Sequence, residues 1–205
     1  MTARDPLTVA AASLAVGLWA LGTLGCDSAA GTGEDFVIDH TLCLNGQACG
    51  GSMTTYPGGP YGKSEGSKVA NLEFLDTAGI GTSLQALRAD GNAKLMLIST
   101  TAEWCTACIE EQPKLEALYR EFACDGLAIT VSIFEDLSFF PASEVHAATW
   151  KERYGLSFDV VADPDFVWES YYDAQLTPMT MLVDLCTMEI IQVNTGFDET
   201  LVRSL

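Results

Sequence analysis

The chain has 205 residues, 48% of them hydrophobic, and its 28 acidic against 10 basic side chains give a formal net charge of −18. Once an N-terminal targeting segment is set aside, that length suits one domain with a single sizeable core. The charge would repel a phosphate backbone, which argues against nucleic acid as a partner.

Arg4 is followed by the apolar run Leu7 to Leu21, which is too short and too weakly flanked for a membrane-spanning helix and reads as a secretory signal. The run ends in Leu21-Gly22-Thr23-Leu24-Gly25-Cys26, which resembles a bacterial lipobox, the small residue before Cys26 preceding a cysteine that is acylated and becomes N-terminal. Thr23 departs from that pattern, which favours an aliphatic residue there. Residues 1–25 are therefore expected to be a lipoprotein-type signal peptide and 26–35 the lipid attachment and a small, polar, flexible tether. The acidity stays with the exported part, because Arg4 and Asp5 are the only charged residues removed. Residues 36–68 read as an irregular extension, rich in turns at Tyr56-Pro57-Gly58-Gly59-Pro60-Tyr61-Gly62 and stapled by cysteine. Residues 69–205 carry the folded domain.

That domain alternates strand-like and helix-like patterns, the signature of an α/β protein with crossover connections. Strands are expected at Val69–Phe74, Lys94–Thr100 and Leu127–Phe134, the last two central, and the runs Met179–Val183 and Ile190–Val193 form a hairpin. Helices are expected at Cys105–Phe122, Ser143–Tyr154 and Asp165–Tyr172, with Pro113 kinking the first, and the tail after Gly196 leaves room for a brief final helix.

Seven cysteines in such a chain indicate an oxidising compartment, where thiols persist only if paired or used. Acylation of Cys26 leaves six, and six allow fifteen pairings. Cys105 and Cys108 are held together by their spacing. Cys43 and Cys49 are close enough to pair locally, which would leave Cys124 with Cys186.

Trp104-Cys105-Thr106-Ala107-Cys108 follows a central strand and opens the long helix, so the Cys105 sulfur meets unpaired backbone N–H groups that favour a thiolate. A thiolate attacks disulfides, and a second thiol one turn deeper resolves the mixed disulfide. An inert staple is the plainer reading of the same pair. A zinc site shared with Cys43 and Cys49 is poorer still, because the five residues between those two do not match ligand spacing. No metal or other cofactor is expected.

Residues 69 to 197 resemble the thioredoxin superfamily, and within it the membrane-tethered TlpA/ResA-like, AhpC/TSA-related redoxins. Trp104 matches the family's Trp before the first cysteine, Pro113 its helix-kinking proline, Thr177-Pro178 its cis-proline segment, and Asp163-Pro164 a redoxin-branch feature. The resemblance implies a thioredoxin fold, a mixed β-sheet flanked by helices. It implies a catalytic set of Cys105, Cys108, Glu111 and Pro178, with Glu111 assisting proton transfer at the resolving thiol, and substrate contacts at Trp104 and Thr177. It also implies that Cys124 and Cys186 lie at the pole opposite the dithiol, where a structural disulfide is plausible. The buried aspartate of thioredoxins proper is replaced by Ser99, and Ala107 stands where proline is common.

The expected function is that of a monomeric, exported, membrane-anchored lipoprotein facing the periplasm or cell exterior. It would exchange with protein thiols and disulfides and draw electrons from an upstream redox donor. Glu103, Glu110 and Glu111 disfavour the thiolate, which points to a reductant. Two alternatives stand beside this: a redox-inert binding lipoprotein on the same fold, and a thiol peroxidase. The second lacks the family's Thr, since Ala102 occupies that position.

Overall fold

The computed structural model describes Cys49, residues 53–89 and residues 93–203. The expected signal segment and tether, with Cys26 and Cys43, lie outside the described residues.

Seven strands form one mixed sheet in the order β2-β1-β5-β4-β3-β6-β7. They are β1 (Glu73–Leu75), β2 (Gly81–Ser83), β3 (Leu95–Ala102), β4 (Leu127–Glu135), β5 (Asp159–Ala162), β6 (Met179–Asp184) and β7 (Glu189–Thr195). Strands β3, β4 and β5 run parallel, while β6 pairs antiparallel with β3 and turns back into β7. The β1–β2 hairpin caps the other edge through Leu75 opposite Ala162. Among the described residues the helices are α1 (Leu84–Arg88), α2 (Thr106–Phe122), α3 (Glu144–Tyr154) and α4 (Glu199–Val202).

The alternation of side chains along β3 explains the layering. Leu97 joins Leu115, Leu118, Ile129, Val131, Ile133, Trp150 and Phe158 in a core under α2 and α3. Met96 and Ile98 point the other way, into a second core with Leu84, Trp168, Met181, Val183 and Ile190. A strand buried on both faces reads as a continuous apolar run, as β3 and β4 do. Helix α3 starts where its sequence signals it: Ser143 and His146 cap each other, and Gly155 closes the far end in the left-handed conformation.

Two expected elements differ. Only Glu73 and Phe74 of the segment 69–74 belong to a strand of the sheet, β1. Upstream of it, residues 66–69 lie along β7 instead, with Gly66 N donating to Ile190 O, Ile190 N to Ser67 O and Val69 N to Met188 O, so the alternating run is divided between the two edges. The helix expected over 165–172 is a single 3₁₀ turn, Val167–Ser170. Asp163 captures Phe166 N with its carbonyl and Val167 N with its side chain, and this puts Phe166 at φ 47° before the helix can begin.

The cysteine pairing is a correction. Cys49 is bonded to Cys186 across 137 residues, with a Cα–Cα distance of 5.2 Å, rather than to Cys43, and Cys124 is disulfide-bonded elsewhere. The cause is tertiary. Arg88, only 3% exposed, donates to Leu185 O at 2.8 and 3.1 Å, to Cys186 O at 3.2 Å and to Thr55 O at 3.0 Å. Gln85 Nε2 also holds Met53 O, at 2.5 Å. These bonds lay the segment after Cys49 against the β6–β7 turn, and proximity in space overrides proximity in sequence.

Replacing Arg88 by Met keeps the apolar stem but strips the buried Leu185 carbonyl of both donors. With the disulfides intact, the variant is expected to lose about 2–3 kcal/mol of stability in urea unfolding. A loss within about 0.5 kcal/mol would reduce Arg88 to a surface residue.

Candidate active site

The site is built at the end of β3. Ala102 O accepts from Cys105 N at 3.1 Å, and Glu103 N donates to Glu135 O at 3.0 Å, so the link between β3 and α2 is fixed on both sides. Cys105 is the N-cap of α2 in extended conformation, and its sulfur lies 3.1 Å from Cys108 N. Cys105 and Cys108 form a disulfide with Cα atoms 5.2 Å apart. The N–H groups of the first turn therefore face the Cys105 sulfur, as the sequence suggests. Cys105 keeps only 4% of its surface and Cys108 none, packed with Ala102, Phe134, Trp104 and Phe166. Of the two sulfurs, that of Cys105 therefore belongs to the less completely enclosed residue.

The structure brings the other expected residues to the same place. The Thr177–Pro178 bond is cis, and Thr177 O lies 3.9 Å from Cys105 Sγ. Trp104 Nε1 donates to Glu135 Oε2 at 2.9 Å, and its ring meets Phe134 edge-on at 6.3 Å. Glu111 follows Cys108 by three residues, but it is not a solvated helix carboxylate. It is 4% exposed and turns inward, where Oε1 accepts from the Ser99 hydroxyl of β3 at 2.5 Å. Burial pushes its pKa up to about 7, against smaller lowering effects from the Ser99 bond and Lys114.

Sequence singles out neither Thr100, Tyr172 nor Phe166, and Asp163 only as part of a redoxin-branch feature. Thr100 Oγ1 accepts from Met179 N at 3.1 Å and so anchors the segment after the cis-proline. The Tyr172 hydroxyl stands 3.3 Å from Thr177 Oγ1, on the other side of that segment. Asp163, 1% exposed, is held up to about 6 by burial, and its turn carries Phe166, which stacks on Phe134 at 4.3 Å. Threonine in a strand, or a tyrosine in an irregular stretch, carries no periodic or spacing signal, so only the packed fold reveals these roles. Among the described residues no cluster of His, Cys, Asp and Glu is arranged to hold a metal ion.

Known proteins resemble this chain over the same region. The AhpC/TSA family model matches residues 66–193. The thioredoxin-like protein YneN of Bacillus subtilis is 28% identical over 130 residues, covering 63% of this chain and 71% of that protein. The thiol-disulfide oxidoreductase ResA of the same organism is 28% identical over 134 residues, covering 65% and 68%. Among solved structures, the thioredoxin domain of a thiol-disulfide oxidoreductase from Bacteroides vulgatus superposes with a TM-score of 0.55 at 22% identity, covering 69% of this chain and 96% of that one. The architecture is accordingly a thioredoxin fold.

The Glu111 carboxyl makes stability depend on pH in a definite direction. Its ordinary value is 4.5 and its folded value about 7. Between the two, the folded protein holds a proton that the unfolded chain has released, so this contribution is full below pH 4.5 and gone once pH passes about 7. On going from pH 5 to pH 8, the oxidised protein is expected to lose about 2 kcal/mol more than a Glu111→Gln variant, compared by urea unfolding. Equal slopes for the two proteins would mean that the carboxyl is not held protonated by burial.

Proposed function

The chain belongs to the AhpC/TSA family, and we propose that it is a thiol-disulfide oxidoreductase that reduces protein disulfides. The observation that carries this reading is the Cys105–Cys108 disulfide at the head of α2, beside the cis Thr177–Pro178 bond. A redox-inert binding protein has no need for a disulfide between the N-cap and the first turn, where helix N–H groups stabilise a released thiolate. A thiol peroxidase is disfavoured by Ala102, fully buried without a hydroxyl where that chemistry would want one.

In the reductive direction Cys105 acts as the thiolate. It attacks one sulfur of the target disulfide, forming a mixed disulfide while the other target sulfur leaves with the electron pair and takes up a proton. Cys108 then gives up its proton and attacks Cys105 Sγ, closing the intramolecular bond and releasing the first target sulfur. Glu111 is the acceptor for the Cys108 proton. With a pKa near 7, its carboxyl is available in both forms at neutral pH. Pro178 and Thr177 line the approach to Cys105, and Trp104 covers its flank.

Direction follows from charge. Glu103 and Glu110 flank the dithiol in sequence, and Lys114 is the first basic residue after it. Negative neighbours destabilise the thiolate and make the reduced pair a better donor, nearer thioredoxin at about −270 mV than DsbA at about −120 mV. Spent dithiol must be regenerated by an upstream donor.

The setting we propose is outside the cytoplasm. Residues 1–25 are removed, Cys26 is acylated, and residues 26–35 tether a monomeric domain facing the periplasm or cell exterior. The long-range Cys49–Cys186 bond supports an oxidising compartment. No helix among the described residues is long and apolar enough to cross a membrane.

In graded glutathione buffers, with each cysteine read by differential alkylation, Cys105 and Cys108 are expected to titrate together near −270 mV while Cys49 and Cys186 stay oxidised. Cys105→Ser abolishes exchange, and Cys108→Ser accumulates a mixed disulfide. A 105/108 pair that never exchanges would overturn the assignment.

A further inference from the structure

Beside the dithiol lies an exposed apolar ridge that the exchange reaction does not use. Asp136 holds the loop after β4: its N–H donates to Phe140 O at 2.9 Å, and its Oδ1 accepts from Ser138 N at 2.7 Å and Phe140 N at 2.9 Å. Ala142 N closes the return on Phe134 O at 2.9 Å. The loop is thus fixed, yet it leaves Leu137 at 65% and Phe139 and Phe140 at 66% exposure. Phe139 also adopts φ 63°, a conformation ordinary for Gly or Asn and unusual for a bulky aromatic. Beyond its stacking on Trp104, folding gains little from a ring left two-thirds exposed on a strained backbone, so the outlier points to a further contact.

The position of the ridge says what that contact is. Phe139 stacks on Trp104 with ring centroids 5.6 Å apart, and Trp104 directly precedes Cys105. Past the sulfur, Leu176 is half-exposed just before Thr177. The surface therefore continues from the reacting sulfur outward. Its charge is negative: Glu103 accepts from Leu137 N, Glu135 accepts from Trp104 Nε1, and Asp136 sits within the loop. No Lys or Arg occurs between Lys94 and Lys114, or between Arg120 and Lys151.

Resting on the oxidoreductase reading above, we propose that the Leu137–Phe140 ridge docks the polypeptide flanking the target disulfide, selecting targets with bulky apolar and basic side chains beside the reacting cysteine. Apolar side chains bury the exposed rings, and basic ones answer the carboxylates around them. A second copy of this chain would bring the same carboxylates to the ridge, and anionic lipid would be repelled by them.

The test uses the full chain, reduced and desalted, mixed with short peptides. Each peptide carries one cysteine as a mixed disulfide with 5-thio-2-nitrobenzoate. Cys105 attacks the peptide sulfur and thionitrobenzoate leaves with the electron pair. Cys108 then displaces the peptide thiol and the protein is left oxidised, two electrons having passed to the mixed disulfide. A peptide with Phe and Lys beside the cysteine is expected to react about tenfold faster than one with Ser and Glu, and added salt should shrink the Lys part of that preference. The ratio of the Phe/Lys peptide rate to the glutathione disulfide rate is expected to fall several-fold in Leu137→Ser/Phe140→Ser. It should fall also in Phe139→Asn, which suits the left-handed backbone. Equal peptide rates, or variants that keep the full preference, would overturn the docking proposal while glutathione disulfide is still reduced. Failure to reduce glutathione disulfide as well would overturn the oxidoreductase reading and the docking proposal with it.

Discussion

Strand β3 is hydrogen-bonded on both sides and buried on both faces, and three of its last four residues hold the dithiol, the buried acid and the segment after the cis-proline. Ser99 holds the Glu111 carboxyl, Thr100 holds Met179 N after the cis-proline, and Ala102 receives Cys105 N. Thr101 continues the pairing with β4, opposite Ile133. A central strand is among the last elements to open in a fold of this kind. The dithiol and buried acid on α2 and the cis-proline segment before β6 are therefore each tied to one central strand.

That constraint also explains how a carboxylate can serve beside a thiol. On the outer face of α2, Glu111 would be an ordinary solvated acid. Turned inward against β3, it loses water on nearly all sides and gains only one hydroxyl donor, so burial outweighs the Ser99 bond and the proton is held until near neutrality. Cys108 is wholly buried one turn earlier on the same helix. A thiol in that position does not face water, and for this reason the proposed exchange assigns its proton to Glu111 at i+3, whose carboxyl changes form near pH 7. Asp163, raised to about 6 by burial as well, has a different place: its bonds go to the turn that presents Phe166 to the cysteine pair.

Much of this was legible before the structure. The apolar runs gave β3, β4 and the β6–β7 hairpin, because a strand buried on both faces leaves a continuous signal. Cys-x-x-Cys after such a strand located Cys105 and Cys108, and the match to Pro178 located the cis bond. What escaped had one cause in each case. The 69–74 run is alternating, but it is shared between two sheet edges, which alternation cannot reveal. The 165–172 pattern has helical spacing, but Asp163 competes for the N–H groups that a helix would need. The pairing of Cys49 with Cys186 depends on Arg88, and a basic residue in a short helix says nothing in sequence of the carbonyls it will meet across 97 positions.

The two described disulfides show how environment divides one bond type into two uses. Cys49–Cys186 closes 137 residues at the β6–β7 turn, where the buried Arg88 ties the turn to the segment after Cys49 and no helix start faces the sulfurs among the described residues. Cys105–Cys108 closes three residues at a helix start, where the chain-entropy gain from the bond is small and the N–H groups of α2 favour the thiolate that reduction frees. The eight residues of β3 keep these two ends roughly 25 Å apart. The long-range bond can therefore hold the extension against the domain through every cycle of the short one. Glu103 and Glu110, to which the proposed reductive direction is assigned, lie near the dithiol end of the sheet and away from the staple.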